Sequence, residues 1–98
     1  MIVQLAQFAP KQGEEESVRQ TLRTQLAFVA GYPGCHRAYM ATPIHGQRYL
    51  LYSEWVSEDD LDRHEAALRS DPQASGEFFG LLGRLSSPPL MARYEIQG

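Results

Sequence analysis

The sequence predicts an α+β fold in which helices cover one face of a four-stranded antiparallel sheet. Segments rich in β-forming residues occur at both ends and in the middle of the chain. Between them lie segments whose apolar residues recur at helical spacing, and clusters of Pro and Gly separate the two kinds of segment. The resulting order, β-α-β-β-α-(α)-β, is that of the ferredoxin-like split βαβ fold. The 98 residues are predicted to form one domain over residues 1–98.

The first third of the chain predicts a strand, a helix and a turn. Residues 1–9 alternate loosely, and both faces of this strand are largely apolar, which is typical of a strand covered on both sides. Acidic residues 14–16 suit the positive end of a helix dipole. The helix carries an apolar stripe made of Val18, Leu22, Leu26 and Val29. Gly31 is predicted to end this helix in a left-handed conformation, and Pro33-Gly34 to form a turn.

The rest of the chain predicts a hairpin, one or two helices and a final strand. Residues 35–42 and 47–56 are predicted to pair as the hairpin. Ser57, with an acid three residues later, begins a helix as in a capping box. One face of that helix carries Leu61, His64, Ala67 and Leu68. Asp71-Pro72 can end it and begin another helix over residues 72–85. Residues 90–97 are predicted to form the last strand.

Composition and charge narrow the class of function. The net charge is −3 and the nine basic residues are scattered, which argues against a nucleic-acid binder that needs a clustered basic face. The single cysteine, Cys35, favours a reducing compartment, and no signal peptide or membrane-length apolar run is visible, so we expect a cytoplasmic protein that binds no membrane. His36, His45 and His64 do not share a metal-ligand pattern, so no metal site is predicted.

The sheet face without helices is expected to be an interface. That face would carry apolar residues, for instance Ile2, Phe8, Leu50 and Tyr52. A domain of this size buries only about 60–65% of the surface of its unfolded chain, and a large exposed apolar patch marks an interaction site. We therefore predict a homodimer joined through the open sheet faces.

Trp55 and His64 form the most informative pair of side chains. Trp55 ends the third predicted strand and His64 lies about two turns into the following helix, so both can point between helix and sheet. An imidazole there can act as a general base, and an indole can form a flat wall for an aromatic ligand. The alternative is structural: a core tryptophan and a histidine bonded to a carbonyl. The tyrosines have the same two interpretations, as cleft residues or as ordinary residues of a sheet face or interface.

The placed elements resemble those of the antibiotic biosynthesis monooxygenase family of dimeric α+β barrels, over nearly the whole chain. The resemblance lies in the Pro33-Gly34 turn before the second strand, the segment Tyr49–Trp55, and the segment Ser57–His64. It implies a barrel-like dimer with a pocket between sheet and helices in each subunit. Some members oxidise phenolic or anthrone-like aromatics with O2 and use neither metal nor flavin.

The resemblance implies candidate roles for particular residues. It implies that His64 is the catalytic base or hydrogen-bond partner and Trp55 the stacking wall, and Gln7 lies near the position of a strand-one Asn in some members. We predict Gln7 as an orienting polar group, and Tyr39 and Tyr49 as further substrate-binding residues if the tyrosines line a cleft. Other family members degrade haem with an axial His on a later helix, but the segment after Pro72 contains no His, so we expect no cofactor.

The predicted function is therefore a cofactor-independent monooxygenase that acts on a small phenol, quinol or anthrone-like aromatic. The resemblance implies polar residues in the aromatic monooxygenases at positions where this sequence has Leu51 and Leu61. This departure keeps open a module that binds a small aromatic, for instance in a stress response, without turnover. An isomerase of a small metabolite on the same scaffold is a further alternative.

Overall fold

A computed structural model describes residues 1–98 and confirms the predicted order of elements. The elements are β1 (Ile2–Phe8), α1 (Glu15–Ala30), β2 (Cys35–Ala41), β3 (Tyr49–Trp55), α2 (Glu58–Ser70), α3 (Pro72–Leu82) and β4 (Leu90–Glu95). The strands form one sheet in the order β2-β3-β1-β4, and every neighbouring pair is antiparallel. The fold is the predicted α+β, ferredoxin-like arrangement.

The register divides the sheet into a helix face and an open face. Ala6 and Phe8 of β1 pack with α1 residues in the core, whereas Leu5 pairs with Tyr52 on the opposite side. Since side chains alternate along a strand, Ile2 and Phe8 lie on the helix face. The prediction that they share the open face with Leu50 and Tyr52 is therefore wrong. Both sides of β1 are apolar in sequence, so composition alone did not distinguish them. The open face carries Val3, Leu5, Gln7, Arg37, Tyr39, Ala41, Leu50, Tyr52, Glu54, Leu90, Ala92 and Tyr94.

The main core lies between the helix face and one side of the helical layer. It consists of Ala6, Phe8, Val18, Leu22, Leu81 and Leu85. Val18 and Leu22 belong to the predicted apolar stripe and are fully buried, which shows why α1 lies where it does. None of the three helices combines the length and the apolar character that crossing a bilayer requires.

Two turns fix the position of α2. Gly34 has φ of +91°, and a Cβ at this position would lie 2.4 Å from the Asp60 side chain, so glycine is required twice over. Gly31, in contrast, ends α1 with φ of −95°, so the left-handed residue predicted there is wrong. The Ser57 hydroxyl accepts a hydrogen bond of 3.2 Å from the Asp60 amide, which confirms the predicted cap of α2.

Asp71 separates α2 from α3 as predicted. Its carboxylate accepts hydrogen bonds from the backbone amides of Gln73 at 2.9 Å and Ala74 at 3.2 Å, and Pro72 occupies the first turn of α3. The helix ends at Leu82, before Gly83, and not at residue 85. This junction turns α3 back over the sheet, where it closes one side of the space below α1 and α2.

Candidate functional site

A cavity of about 360 Å³ lies between the helix face of the sheet and the three helices. Twelve of its nineteen lining residues are hydrophobic, among them Ala6, Leu51, Leu68, Phe78 and Met91. The volume lies within the range of about 300–1,000 Å³ that is typical of small-ligand pockets. A mostly apolar cavity with a few polar groups suits a small, largely apolar ligand.

His64 lines this cavity from α2. The cap at Ser57 sets the start of the helix, and Leu61 and His64, three residues apart, then face inward together. Leu61 is fully buried and His64 is 3% exposed. The inward placement of His64 that the sequence suggested is therefore present.

Aromatic rings surround the imidazole. The ring centroid of His64 lies 5.1 Å from that of Trp55, 4.9 Å from that of Tyr32 and 5.5 Å from that of Phe28. The Tyr32 contact is edge-on, and the other two rings are tilted. These rings bury the imidazole, and burial disfavours its charged form.

Both ring nitrogens of His64 are buried and have no hydrogen-bond partner in the protein. Burial lowers the pKa of His64 below its usual value, and the nearby Glu65 carboxylate opposes this shift to a smaller extent. A neutral imidazole has one N–H donor and one lone pair, and leaving such groups unpaired costs about 1–3 kcal/mol. Neither nitrogen is exposed to the cavity, so the hydroxyl group of a ligand can satisfy this unmet capacity only after the imidazole turns toward it.

Trp55 supports His64 from behind. The indole is fully buried, and its Nε1 donates a hydrogen bond of 2.8 Å to the Ser53 hydroxyl oxygen. Trp55 is not among the residues that line the cavity, although Ser53 is. The indole therefore touches the imidazole and positions it, whereas its own donor is already used.

The structure places the other predicted ligand-binding residues away from the cavity. Gln7 and Tyr39 lie on the open face, where Gln7 pairs with Leu50 and the Tyr39 ring stacks on Tyr52 at a centroid distance of 4.5 Å. Tyr49 is on the helix face but packs against the main core. None of the three lines the cavity. Their positions follow from strand register, which the sequence did not fix.

Polar residues that the sequence analysis did not single out do line the cavity. They include Gln4 of β1, Ser53 of β3 and Glu65 of α2. The Gln4 Nε2 donates a hydrogen bond of 2.9 Å to Glu65 Oε1, which joins the sheet to α2 at the edge of the cavity. The available signal was the two-residue repeat of a strand: Gln4, Ala6 and Phe8 occupy every second position of β1 and therefore lie on the same side.

No group of three or more His, Cys, Asp or Glu side chains is arranged to hold a metal ion. His36 and His45 are both exposed, the first in β2 and the second in the loop after it. Neither comes near His64 in the cavity wall.

Solved structures share this fold at low sequence identity. Rv0793 from Mycobacterium tuberculosis superimposes with a TM-score of 0.85 at 18% identity, over 99% of this chain and 95% of that one. SnoaB from Streptomyces nogalater, a cofactor-independent oxygenase, gives 0.81 at 15%, over 99% and 93%. PA3566 from Pseudomonas aeruginosa gives 0.81 at 15%, over 99% and 94%. These likenesses establish the fold. No curated protein matches the sequence.

The family is established by the sequence itself. Residues 1–70 match the family model described as antibiotic biosynthesis monooxygenase. The match includes β1, α1, the β2–β3 hairpin and α2, and thus both Trp55 and His64. The chain belongs to the antibiotic biosynthesis monooxygenase family.

Proposed function

We propose that the protein is a monooxygenase that oxidises a small phenol, quinol or anthrone-like aromatic with O2 and needs no metal or flavin. One observation carries this proposal: His64 is buried in the wall of an apolar cavity with both ring nitrogens unpaired. The family membership and the structural likeness to a cofactor-independent oxygenase support it. A neutral imidazole has a lone pair that can accept a proton.

The proposed chemistry begins with proton transfer. His64 accepts the acidic proton of the bound aromatic, and the electron-rich anion then reduces O2 directly. For an anthrone, one oxygen atom replaces the two hydrogens of the ring CH2 as a new carbonyl, and the other leaves as water. His64 returns the proton during formation of this water. The apolar wall excludes bulk water, and Trp55 holds the imidazole in place.

Oxygen uptake tests the proposal. Purified protein is mixed with a panel of quinols and anthrones, and O2 consumption is followed against heat-inactivated protein, which corrects for autoxidation. We expect His64→Gln to lower the enzymatic rate at least about 100-fold, the range of a lost general base. His36→Gln, an exposed position, is the matched control and should keep the full rate. Uptake that is unchanged in His64→Gln would overturn the proposal.

A non-catalytic module that binds a small aromatic is the second candidate. Leu51 lines the cavity and Leu61 is fully buried beside it on α2, so neither supplies a polar group to a reaction. The Trp55 donor is also occupied by Ser53. A co-purifying aromatic together with uptake no faster than the controls would favour this candidate, or an isomerase, over the monooxygenase.

We also propose a homodimer joined through the open sheet faces. Tyr39, Leu90 and Tyr94 on this face are each about half exposed in the single chain, at 45%, 51% and 54%. Their apolar surface requires a partner, and Gln7 lies among them. Light scattering should give about twice the 11.1 kDa of one chain, and Tyr39→Arg should lower this mass toward one chain. A wild-type mass of one chain at micromolar concentration would contradict the dimer.

A cytoplasmic location remains part of the proposal. Cys35 is a free thiol, and an unpaired cysteine is typical of proteins in reducing compartments. Fractionation of cells that express the protein from its own promoter is the direct test, and recovery outside the cytoplasm would exclude this location.

A further inference from the structure

We infer that Gln4 determines which ligands the cavity accepts, and that Arg93 and Glu65 hold its carboxamide as a hydrogen-bond acceptor. The inference rests on the proposed function in one respect, that the cavity is the ligand site. It adds a specificity residue and two positioning residues to His64. The ligand it predicts is uncharged and carries an O–H or N–H donor, and carboxylates are disfavoured.

Three elements bring the three residues together. Gln4 on β1 is paired with Arg93 on β4, so their side chains lie side by side on the helix face. Glu65 approaches them from α2 and uses both oxygens: Oε1 accepts from Gln4 Nε2 and Oε2 accepts from Arg93 Nη2, each at 2.9 Å. The result is a continuous hydrogen-bond network that runs from β4 through α2 to the wall of the cavity.

This network fixes the orientation of the Gln4 carboxamide. An ionised carboxylate only accepts hydrogen bonds, so the amide group of Gln4 must face Glu65. Its Oε1 then points away from Glu65 and accepts no hydrogen bond within the protein. Because Gln4 lines the cavity, Oε1 is the acceptor that remains for a ligand.

Arg93 anchors the hydrogen-bond network. Its guanidinium also donates to Glu58 at 2.9 Å and to Asp62 at 2.7 Å, so it contacts three carboxylates of α2. These contacts, led by that with Asp62, raise the pKa of Arg93 further above its usual value. Arg93 itself does not line the cavity. Arg93 therefore contributes to the cavity wall through Glu65, whose carboxylate it holds in place.

The charges at the cavity wall set the preference. Glu65 presents a carboxylate beside one further acceptor, Gln4 Oε1. A ligand carboxylate meets like charge there, whereas a hydroxyl group meets acceptors. Arg69, the one cation among the lining residues, is exposed to solvent one turn further along α2, so its attraction for anions is screened.

Calorimetric titration with three matched probes tests the inference at pH 7. The probes are 1-naphthol, which has a donor, 1-methoxynaphthalene, which lacks it, and 1-naphthoate, which is anionic. The NMR signal of the Trp55 indole N–H, the single tryptophan, shows whether each probe enters beside His64. We expect naphthol to bind about 3- to 10-fold more tightly than the ether, as one uncharged hydrogen bond provides, and naphthoate to bind most weakly.

Variants separate specificity from folding. Gln4→Met keeps the length of the side chain, and the naphthol-to-ether ratio should fall toward 1 with little change in affinity for the ether. Glu65→Gln frees the Gln4 carboxamide, so the ratio should fall and naphthoate should bind more tightly. Asp62→Asn is the matched control, because it also removes a carboxylate from Arg93 but does not touch Gln4. It should keep the wild-type ratio, and thermal melts check that each variant folds.

The outcomes distinguish this inference from the proposed function. The inference would be overturned if Gln4→Met kept the naphthol-to-ether affinity ratio, or if the wild-type protein bound naphthoate most tightly. It would also be overturned if Glu65→Gln and Asp62→Asn lowered this ratio equally. Failure of all three probes to shift the Trp55 signal would overturn it as well. The predicted preferences without any oxygen uptake would leave the inference standing and remove the monooxygenase.

Discussion

Both faces of the sheet carry apolar residues, but the two faces differ in how far these residues are buried. On the helix face, Ala6, Phe8 and Trp55 are each at most 6% exposed and pack against helices, and a cavity remains beside them. On the open face, Tyr39 and Tyr94 are each about half exposed in the single chain. The helix face is therefore covered within one chain, whereas the open face keeps exposed apolar surface in the single chain, which is the basis of the proposed dimer. Composition gives the apolar surface, and register decides which side performs which role.

Matched truncations of two leucines probe this difference most strongly. Leu22, fully buried under the helix face, should lose about 2–5 kcal/mol of stability when changed to Ala, independent of protein concentration. Leu50 is half-buried on the open face, and Leu50→Ala should cost less in dilute protein but more as the protein is concentrated. Denaturant unfolding at two protein concentrations measures both. Equal costs that do not depend on concentration would show that the open face is not an interface.

The pH dependence of stability sharpens the description of the helix face. Since the folded-state pKa of His64 lies below the ordinary value of about 6.5, the unfolded chain binds a proton that the folded chain does not. Stability should fall as the pH drops from above 6.5 toward the folded pKa, and this loss should level off below it. His64→Phe should lack this loss and be more stable at pH 7 by about 1–3 kcal/mol, because no polar group stays unpaired.

Thermal melts between pH 8 and pH 5 measure this difference. The exposed His36 provides the control, since His36→Phe should keep the wild-type profile. A profile of His64→Phe that parallels the wild type would mean that the imidazole is not held neutral by its surroundings.

The smallest expected effect lies on the open face. The Tyr52 hydroxyl donates a hydrogen bond of 2.6 Å to the Glu54 carboxylate, which raises the pKa of Tyr52 to about 12. Glu54→Gln should return one tyrosine to the ordinary range near 10 in an ultraviolet titration of the phenolate. Tyr94→Phe, which removes another tyrosine of the same face, should leave the titration step of Tyr52 at high pH unchanged. An unchanged titration curve in Glu54→Gln would contradict the contact.

The sequence predicted some features of the site and missed others for a definite reason. The position of His64 followed from local signals, namely a cap at Ser57 and the helical spacing from Leu61. The family resemblance indicates Gln7 and not Gln4, and because these two positions are an odd number of residues apart, they lie on opposite faces of β1. Glu65 and Arg93 meet across 28 positions of the chain, and no local pattern indicates such a pair.

The sequence by itself determined the order of elements, the N-terminal caps of α2 and α3, and the α+β class, because these depend mainly on local patterns of residues. Tertiary structure decided which side of β1 faces the helices. It also decided that the Trp55 indole donates its hydrogen bond to Ser53, and that Gln4, Glu65 and Arg93 form one hydrogen-bond network. These features depend on register and on contacts between distant segments. Such contacts are fixed only when the sheet and the helical layer pack together, which is why local sequence patterns predicted the fold but not these features of the site.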